Sequence, residues 1–261
     1  MSTHTDRSAR NIALAVITGG SRGLGKSMAL HLADHGVGSV ITYRSAAREA
    51  DEVVAAIRAK GQKAAALQLD VADSKGFGAF AESLKGTLEQ VFGRDSFDAL
   101  VNNAGHGLHK PIAQTTEAEL DELYNVHVKA PFLLTQKLLP LIKNGGRILN
   151  VSSGLARFSL PGYAAYGSMK GAVEVLTRYM AKELGERKIS VNTLAPGAIA
   201  TDFNGGAVRD NAMVNKMVAS VTALGRVGEP DDIGGAVAML LADESGWING
   251  QRIEVSGGMN L

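Results

Sequence analysis

Tyr166 and Lys170 lie four residues apart, and Ser153 precedes the tyrosine by 13 residues; these types at this spacing can move a proton at an oxygen atom. On a helix, positions i and i+4 share a face, so a phenol and an ammonium there look into one crevice. Free tyrosine has a pKa of about 10 and is ionised in only about one molecule in a thousand at pH 7, and a neighbouring cation favours the phenolate. Bringing that pKa to the working pH demands roughly 4 kcal/mol of differential stabilisation, shared between Lys170 and any cation bound beside it. Tyr166 would then protonate a carbonyl oxygen in one direction and deprotonate an alcohol in the other. Ser153 ends the run Asn150-Val151-Ser152-Ser153, where it would hold the same oxygen as charge develops. Taken singly, a Tyr/Lys pair on a helix is more often packing and a solvated charge, so its weight depends on the rest of the chain.

The segment Thr18-Gly19-Gly20-Ser21-Arg22-Gly23-Leu24-Gly25 leaves the first apolar run and opens the first helical stretch. Glycine allows a tight turn and close approach to a pyrophosphate, while the helix N-terminus offers unpaired N–H groups and a positive dipole end. The spacing TGxxxGxG differs from the GxGxxG fingerprint and points to another subclass of the same dinucleotide-binding fold. The second β-rich run ends Ile41-Thr42-Tyr43-Arg44, with no acid to bind two ribose hydroxyls. Arg44 and Arg22 would instead clamp a 2′-phosphate by charge-assisted hydrogen bonds. NADP(H) is therefore the expected cofactor, with NAD(H) left open; either arginine alone reads equally as a surface residue.

Positioning these groups takes alternating strands and helices. Short β-rich runs fall at 12–17, 39–43, 64–69, 97–101, 147–151, 189–194 and 251–255, and helical periodicity at 24–35, 46–60, 75–92, 117–143, 164–185, 204–221 and 230–242. The alternation predicts an α/β fold, a doubly wound parallel sheet of seven strands with helices on both faces. We expect a flexible tail at 1–10 and a single domain over 11–261, since no composition break divides the 261 residues. A net charge of +1 gives no lean towards nucleic acid or anionic membrane, no run is long enough to span a bilayer, and no signal-peptide core precedes the first apolar run. Cytoplasmic location is the expectation. With no cysteine and no ligand-spaced His/Asp/Glu set, no metal is expected.

Taken together, these residues resemble the short-chain dehydrogenase/reductase family. Thr18-Gly19 to Gly25 is similar to its cofactor loop, Asn102-Asn103-Ala104-Gly105 to its motif after the fourth strand, Ser153, Tyr166 and Lys170 to its catalytic set, and Pro196-Gly197 with Thr201 to its motif after the sixth. The resemblance covers about residues 10–261. It implies a Rossmann-type sheet of order 3-2-1-4-5-6-7, a homotetramer, and a small carbonyl or alcohol substrate, the branch nearest in appearance being that of 3-oxoacyl-carrier-protein reductases. It further implies that Gly19, Ser21, Arg22, Gly23, Leu24 and Gly25 hold the cofactor, with Tyr43 and Arg44 at the phosphate end. Asp70 and Val71 would border the adenine; Asn103, Ala104 and Gly105 the ribose side. Tyr166 and Lys170 would meet the nicotinamide ribose, and Pro196, Gly197, Ile199 and Thr201 the carboxamide and phosphates.

One departure stands out: the alignment of Val128-Lys129-Ala130-Pro131-Phe132 puts His127 where the family carries a catalytic Asn. An imidazole replaces an amide's donors and acceptor only in part. It either relays protons itself or is a tolerated substitution. His106 and His109 read as loop residues near the substrate mouth. Segment 201–222 looks like the family's lid, hinged at Gly205-Gly206, and Phe203, Leu155 and Phe158 would form a mostly apolar pocket. Ketone reduction, reversible as alcohol oxidation, is the leading reading. A cofactor-binding protein with weak or no catalysis is the alternative, and a lyase or dehalogenase on the same scaffold a third.

Overall fold

The computed structural model describes residues 12–242 and 245–261, so the tail expected at 1–10 lies outside the described residues. Strands β1 (Leu14–Ile17), β2 (Gly38–Tyr43), β3 (Ala64–Gln68), β4 (Phe97–Asn102), β5 (Ile142–Val151), β6 (Ser190–Pro196) and β7 (Arg252–Val255) form one parallel sheet in the expected order β3-β2-β1-β4-β5-β6-β7. β1 and β4 are buried along their whole length, and their near-continuous apolar runs suit strands covered on both faces. The one charge in them, Asp98, accepts from the amides of Ala13 and Leu14 at 3.0 Å each and from Arg94 at 2.8 and 2.9 Å, which pins β1 to β4.

Helices α1 (Gly23–Asp34), α2 (Ala47–Ala59) and α9 (Pro230–Leu241) bury Met28, Leu32, Val53, Ile57, Ile233 and Val237 on one face. On the other, α3 (Phe77–Thr87), α5 (Ala130–Leu138) and α6 (Ala164–Glu183) bury Phe77, Leu84, Leu134, Leu138 and Met180. The strand order reverses between β1 and β4, and that switch point opens a crevice at the carboxyl edge of the sheet.

Three expected helices are broken. The stretch at 117–143 divides into α4 (Glu117–Tyr124), closed at its start by a Thr116–Glu119 capping box, a π-helical turn at Asn125–Lys129, and α5; a 3-10 turn through Pro140 then begins β5 at Ile142. Pro131 has no N–H for the carbonyl four residues back, that of His127, and the backbone widens there. The stretch at 75–92 starts as a 3-10 turn, becomes α3 and ends in a π turn stopped by Gly93 at φ +67°. The stretch at 204–221 becomes α7 (Ala207–Asp210) and α8 (Ala212–Ser220), because Asn204, Gly205 and Gly206 all adopt left-handed backbone and Asn211 caps α8 through Met213 and Val214.

Candidate active site

The glycine loop leaves β1 and enters α1 under tight constraint. Thr18 Oγ accepts from the amides of Asn103 (2.9 Å) and Ala104 (3.0 Å), and the Asn103 side chain donates to the carbonyls of Thr18 (2.8 Å) and Gly19 (3.2 Å). A Cβ on Gly19 would sit 3.0 Å from Ala104 Cα, and one on Gly20 2.6 Å from Ile41. Gly23 differs: its φ is +54°, yet the nearest atom to an added Cβ is 3.8 Å away, on Thr201. It borders open cleft. Helix α1 begins here with no side-chain cap and no acid in its first turn, so its leading N–H groups face the cleft unpaired. Residues with this geometry fit a pyrophosphate.

The cleft holds about 520 Å³ and runs from this loop to α6 and the segment after β6. Ser21, Arg22 and Leu24 line it on the loop side; Tyr43, Arg44, Asp70 and Val71 close one end; Ala104, Gly105, Pro196, Gly197, Ile199 and Thr201 form the middle. Gly25 does not line it. A side chain there would run into the Gly19 carbonyl, so its role is to let α1 approach the loop. Thr42, not singled out as a site residue from the sequence, accepts from Gly19 N at 3.2 Å and lines the cleft. Arg44 is exposed and has no ion pair among the described residues, while Arg22 lies 3.9 Å from Asp202.

Ser153, Tyr166 and Lys170 come together in the wall of this cleft. Lys170 Nζ donates to the Val151 carbonyl at 2.7 Å and stands 5.6 Å from the Tyr166 ring centre. The Ser153 side chain draws the phenol pKa down, and Ser153 Oγ accepts from Leu155 N at 3.2 Å. Both titrating groups are about 5% exposed or little more. Burial pushes Lys170 down to about 7 and pushes Tyr166 up, against the pull of Ser153. From the protein's own groups alone, desolvation outweighs the pull of Ser153, and the phenol keeps its proton.

His127 sits in the π turn, 2% exposed, with its ring edge-on to Tyr166 at 5.3 Å and 88°. Its Nε2 meets the His106 carbonyl at 2.7 Å and its Nδ1 has no partner among the described residues. A carbonyl only accepts, so the proton is on Nε2. Burial first, and then the charge of Lys170, holds its pKa well below the usual imidazole value. Gly105 makes room for the ring, since a Cβ there would lie 2.6 Å from His127 Cε1.

At the other end, Leu155, Phe158 and Phe203 line the cleft, with the Phe203 ring 5.9 Å from that of Tyr166. Val214 and Met217 of α8 join them. Tyr163, Asn204 and Met259 were not anticipated; Asn204 Nδ2 donates to Tyr163 Oη at 3.5 Å, across the mouth. His106 lines the cleft, whereas His109 stacks on Tyr163 at 4.9 Å and lies outside it. Among the described residues no group of three potential ligands could hold a metal ion, and no helix is long and apolar enough to cross a membrane.

A sheet of this order with this cleft at its switch point defines a family, and residues 19–260 match the family model described as enoyl-(acyl carrier protein) reductase. The chain belongs to the short-chain dehydrogenase/reductase family. It is 38% identical over 257 residues to the hydroxynaphthalene reductase-like protein Arp2 of Metarhizium anisopliae, covering 94% of each chain. To the 3-oxoacyl-[acyl-carrier-protein] reductase FabG of Staphylococcus aureus it is 36% identical, covering 95% of this chain and 98% of that one. Among solved structures it is similar to the promiscuous reductase LugOII, described as catalysing keto-reduction at C1 during lugdunomycin biosynthesis (TM-score 0.91, 38% identity, 97% and 100% coverage). The angucycline C-6 ketoreductase LanV with bound NADP is also similar (TM-score 0.89, 33% identity, 95% coverage of each).

Proposed function

We propose that this chain is an NADP(H)-preferring ketone reductase, reversible as an alcohol dehydrogenase, with Tyr166 as the general acid. The observation that carries this reading is the meeting of Ser153, Tyr166 and Lys170 in one wall of a cleft that begins at an uncapped helix N-terminus. Bound there, the nicotinamide supplies the hydride. The first-turn N–H groups of α1 would hold the pyrophosphate, Arg44 and Arg22 the 2′-phosphate, and Asp70 and Val71 would flank the adenine. Lys170 would hold the nicotinamide ribose. Tyr166, kept protonated by burial, gives its proton to the carbonyl oxygen while the Ser153 hydroxyl stabilises the charge developing on it. In the alcohol-oxidising direction Tyr166 must reach the phenolate, whose cost a positive charge bound beside it would lower.

The pocket beside Tyr166 is walled by Phe158, Phe203, Tyr163, Leu155 and Met217, and among the described residues that line the cleft the lysines and arginines besides Lys170 are Arg22 and Arg44, of the glycine loop and the end of β2. That favours a flat, largely apolar cyclic ketone over a substrate with a free carboxylate. The relatives named for hydroxynaphthalene and angucycline reduction support the same choice. A second reading, cofactor binding without useful turnover, rests on His127 in place of the usual Asn. We further take the protein to be a cytoplasmic homotetramer; Tyr124, Phe132, Val175 and Tyr179 on α4, α5 and α6 are exposed apolar side chains suited to helix contacts between copies. Segment 201–222 serves as the substrate lid.

The test is NADPH oxidation against polycyclic aromatic ketones, 3-oxoacyl thioesters and enoyl thioesters. Turnover of the ketones is expected. Tight NADPH binding with no turnover of any of them would favour the second reading, and turnover of enoyl thioesters alone would contradict ketone reduction.

A further inference from the structure

Behind the catalytic serine, a chain of charges links α6, β7 and the C-terminal segment. Glu174 lies one turn beyond Lys170 on α6, and its Oε1 accepts from Ser152 Oγ at 2.7 Å and from Arg252 Nε at 2.8 Å. Arg252, on β7, also donates from Nη1 to Glu254 at 2.8 Å and from Nη2 to the main-chain carbonyl of Ser153 at 3.3 Å. Glu254 accepts two bonds from Arg157, at 2.8 and 2.9 Å, and Arg157 in turn donates to the carbonyls of Met259 (2.8 Å) and Asn260 (3.1 Å). The side chains of Arg252, Glu174 and Glu254 are only 24%, 13% and 20% exposed. Ion pairs so largely removed from water, with most of their hydrogen bonds made, hold geometry far better than surface pairs do.

The consequence lies in register. Val151 is held through its carbonyl by Lys170, Ser152 through its hydroxyl by Glu174, and Ser153 through its carbonyl by Arg252. Consecutive residues leaving β5 are each fastened to a different partner, and two of those partners sit one helical turn apart on the helix that carries Tyr166. We propose that Arg252 and Glu174 are positioning residues that fix Ser153 against Tyr166 and Lys170, with Arg157 and Glu254 tying the Met259 wall of the pocket into the same chain. The proposal rests on the reading of Ser153, Tyr166 and Lys170 as the reacting set. Neither residue touches substrate; a misplacement of about 1 Å at a reacting group can cost on the order of 100-fold in rate.

The test compares full-length wild type with Arg252→Met, Arg252→Lys, Glu174→Gln and the double variant Arg252→Met/Glu174→Gln. Hydrogen exchange over residues 151–158 is measured together with kcat and KM for a ketone and with the NADPH dissociation constant. Exchange in that segment should quicken by about tenfold in Arg252→Met while β1 stays protected. kcat should fall by roughly 10- to 100-fold with KM and NADPH affinity changed less than about threefold, Arg252→Lys should recover part of the loss, and the double variant should be little worse than the worse single one. Unchanged exchange and kcat in a folded Arg252→Met, or additive losses, would overturn the proposal. If Arg252→Met does not fold, Arg252→Lys and Glu174→Gln carry the same comparison. A wild type that reduces no ketone would defeat the proposed function, while the exchange data would still decide whether Arg252 holds the Ser153 segment.

Discussion

His127 gives its Nε2 proton to the carbonyl of His106 at 2.7 Å, so the helix that breaks at residues 125–129 is tied directly to the loop after β4. A protonated ring would need a second acceptor at Nδ1, where none of the described residues supplies one, and would bring a second cation near Lys170. The buried ring and its bond to His106 support the tolerated-substitution reading, in which the imidazole is a neutral tie. His127→Asn should keep or raise kcat, because an amide also has a donor for the same carbonyl. His127→Leu should lose about 1–3 kcal/mol of stability, read by urea unfolding, since it strands a buried acceptor. Complete loss of activity in His127→Asn would show that the ring itself is required.

Arg44 stands exposed at the cleft's end without an ion pair among the described residues, and Arg22 faces it from the glycine loop. Arg44→Asp replaces a phosphate ligand by a repelling charge. The ratio of kcat/KM with NADPH to that with NADH should fall by roughly 10- to 100-fold, the worth of a charge-assisted hydrogen bond or more, and reverse. An unchanged ratio would remove Arg44 from the cofactor site.

Gly23 and Gly25 are distinguishable by experiment. Gly23→Ala should weaken NADPH binding, because its methyl group enters the open path of the phosphate and its φ of +54° suits few other residues. Gly25→Ala should lower thermal stability as well, since overpacking against the Gly19 carbonyl costs typically about 1–3 kcal/mol. Gly23→Ala should lose proportionally more NADPH affinity and Gly25→Ala proportionally more stability; the same ratio of the two losses in both variants would contradict the separate roles.

Two groups make stability rise with pH, each in its own window. Lys170 is lowered by burial to about 7 from 10.5, so the unfolded chain binds the extra proton between these values and stability rises as pH climbs through that window. Lys170→Met should flatten the rise in Tm measured without cofactor; an identical slope would contradict the burial account. Glu254 is pushed up by burial but brought down to about 2 by Arg157, Arg252 and Ser256. Its contribution is present above about pH 4.5 and lost as pH falls towards 2. Glu254→Gln should be less stable at neutral pH and lose less on acidification.

Much of this fold was legible because β1 and β4 are covered on both faces and so read as apolar runs, and because Tyr166 and Lys170 share a helical face at i and i+4. The π turn escaped because apolar spacing continues through it; only Pro131, depriving the His127 carbonyl of a donor, marks the place. The break after Asn204 rests on a non-glycine residue with left-handed backbone, which composition does not announce. Tyr163, Asn204, Glu174, Arg252 and Met259 belong to no motif and meet only when the sheet is assembled. The direction of the Tyr166 shift depends on burial, and that is a property of the packed core rather than of spacing.

Tyr166 is the centre of the account, and one measurement addresses it directly: single-turnover reduction of a cyclic aromatic ketone by NADPH in wild type and Tyr166→Phe, with NADPH affinity measured alongside. Phenylalanine keeps the ring and its contact with His127 and removes only the hydroxyl. The predicted result is a hydride-transfer rate lower by about 100-fold or more, the usual worth of a general acid, at nearly unchanged NADPH affinity. Full activity in Tyr166→Phe would contradict the mechanism.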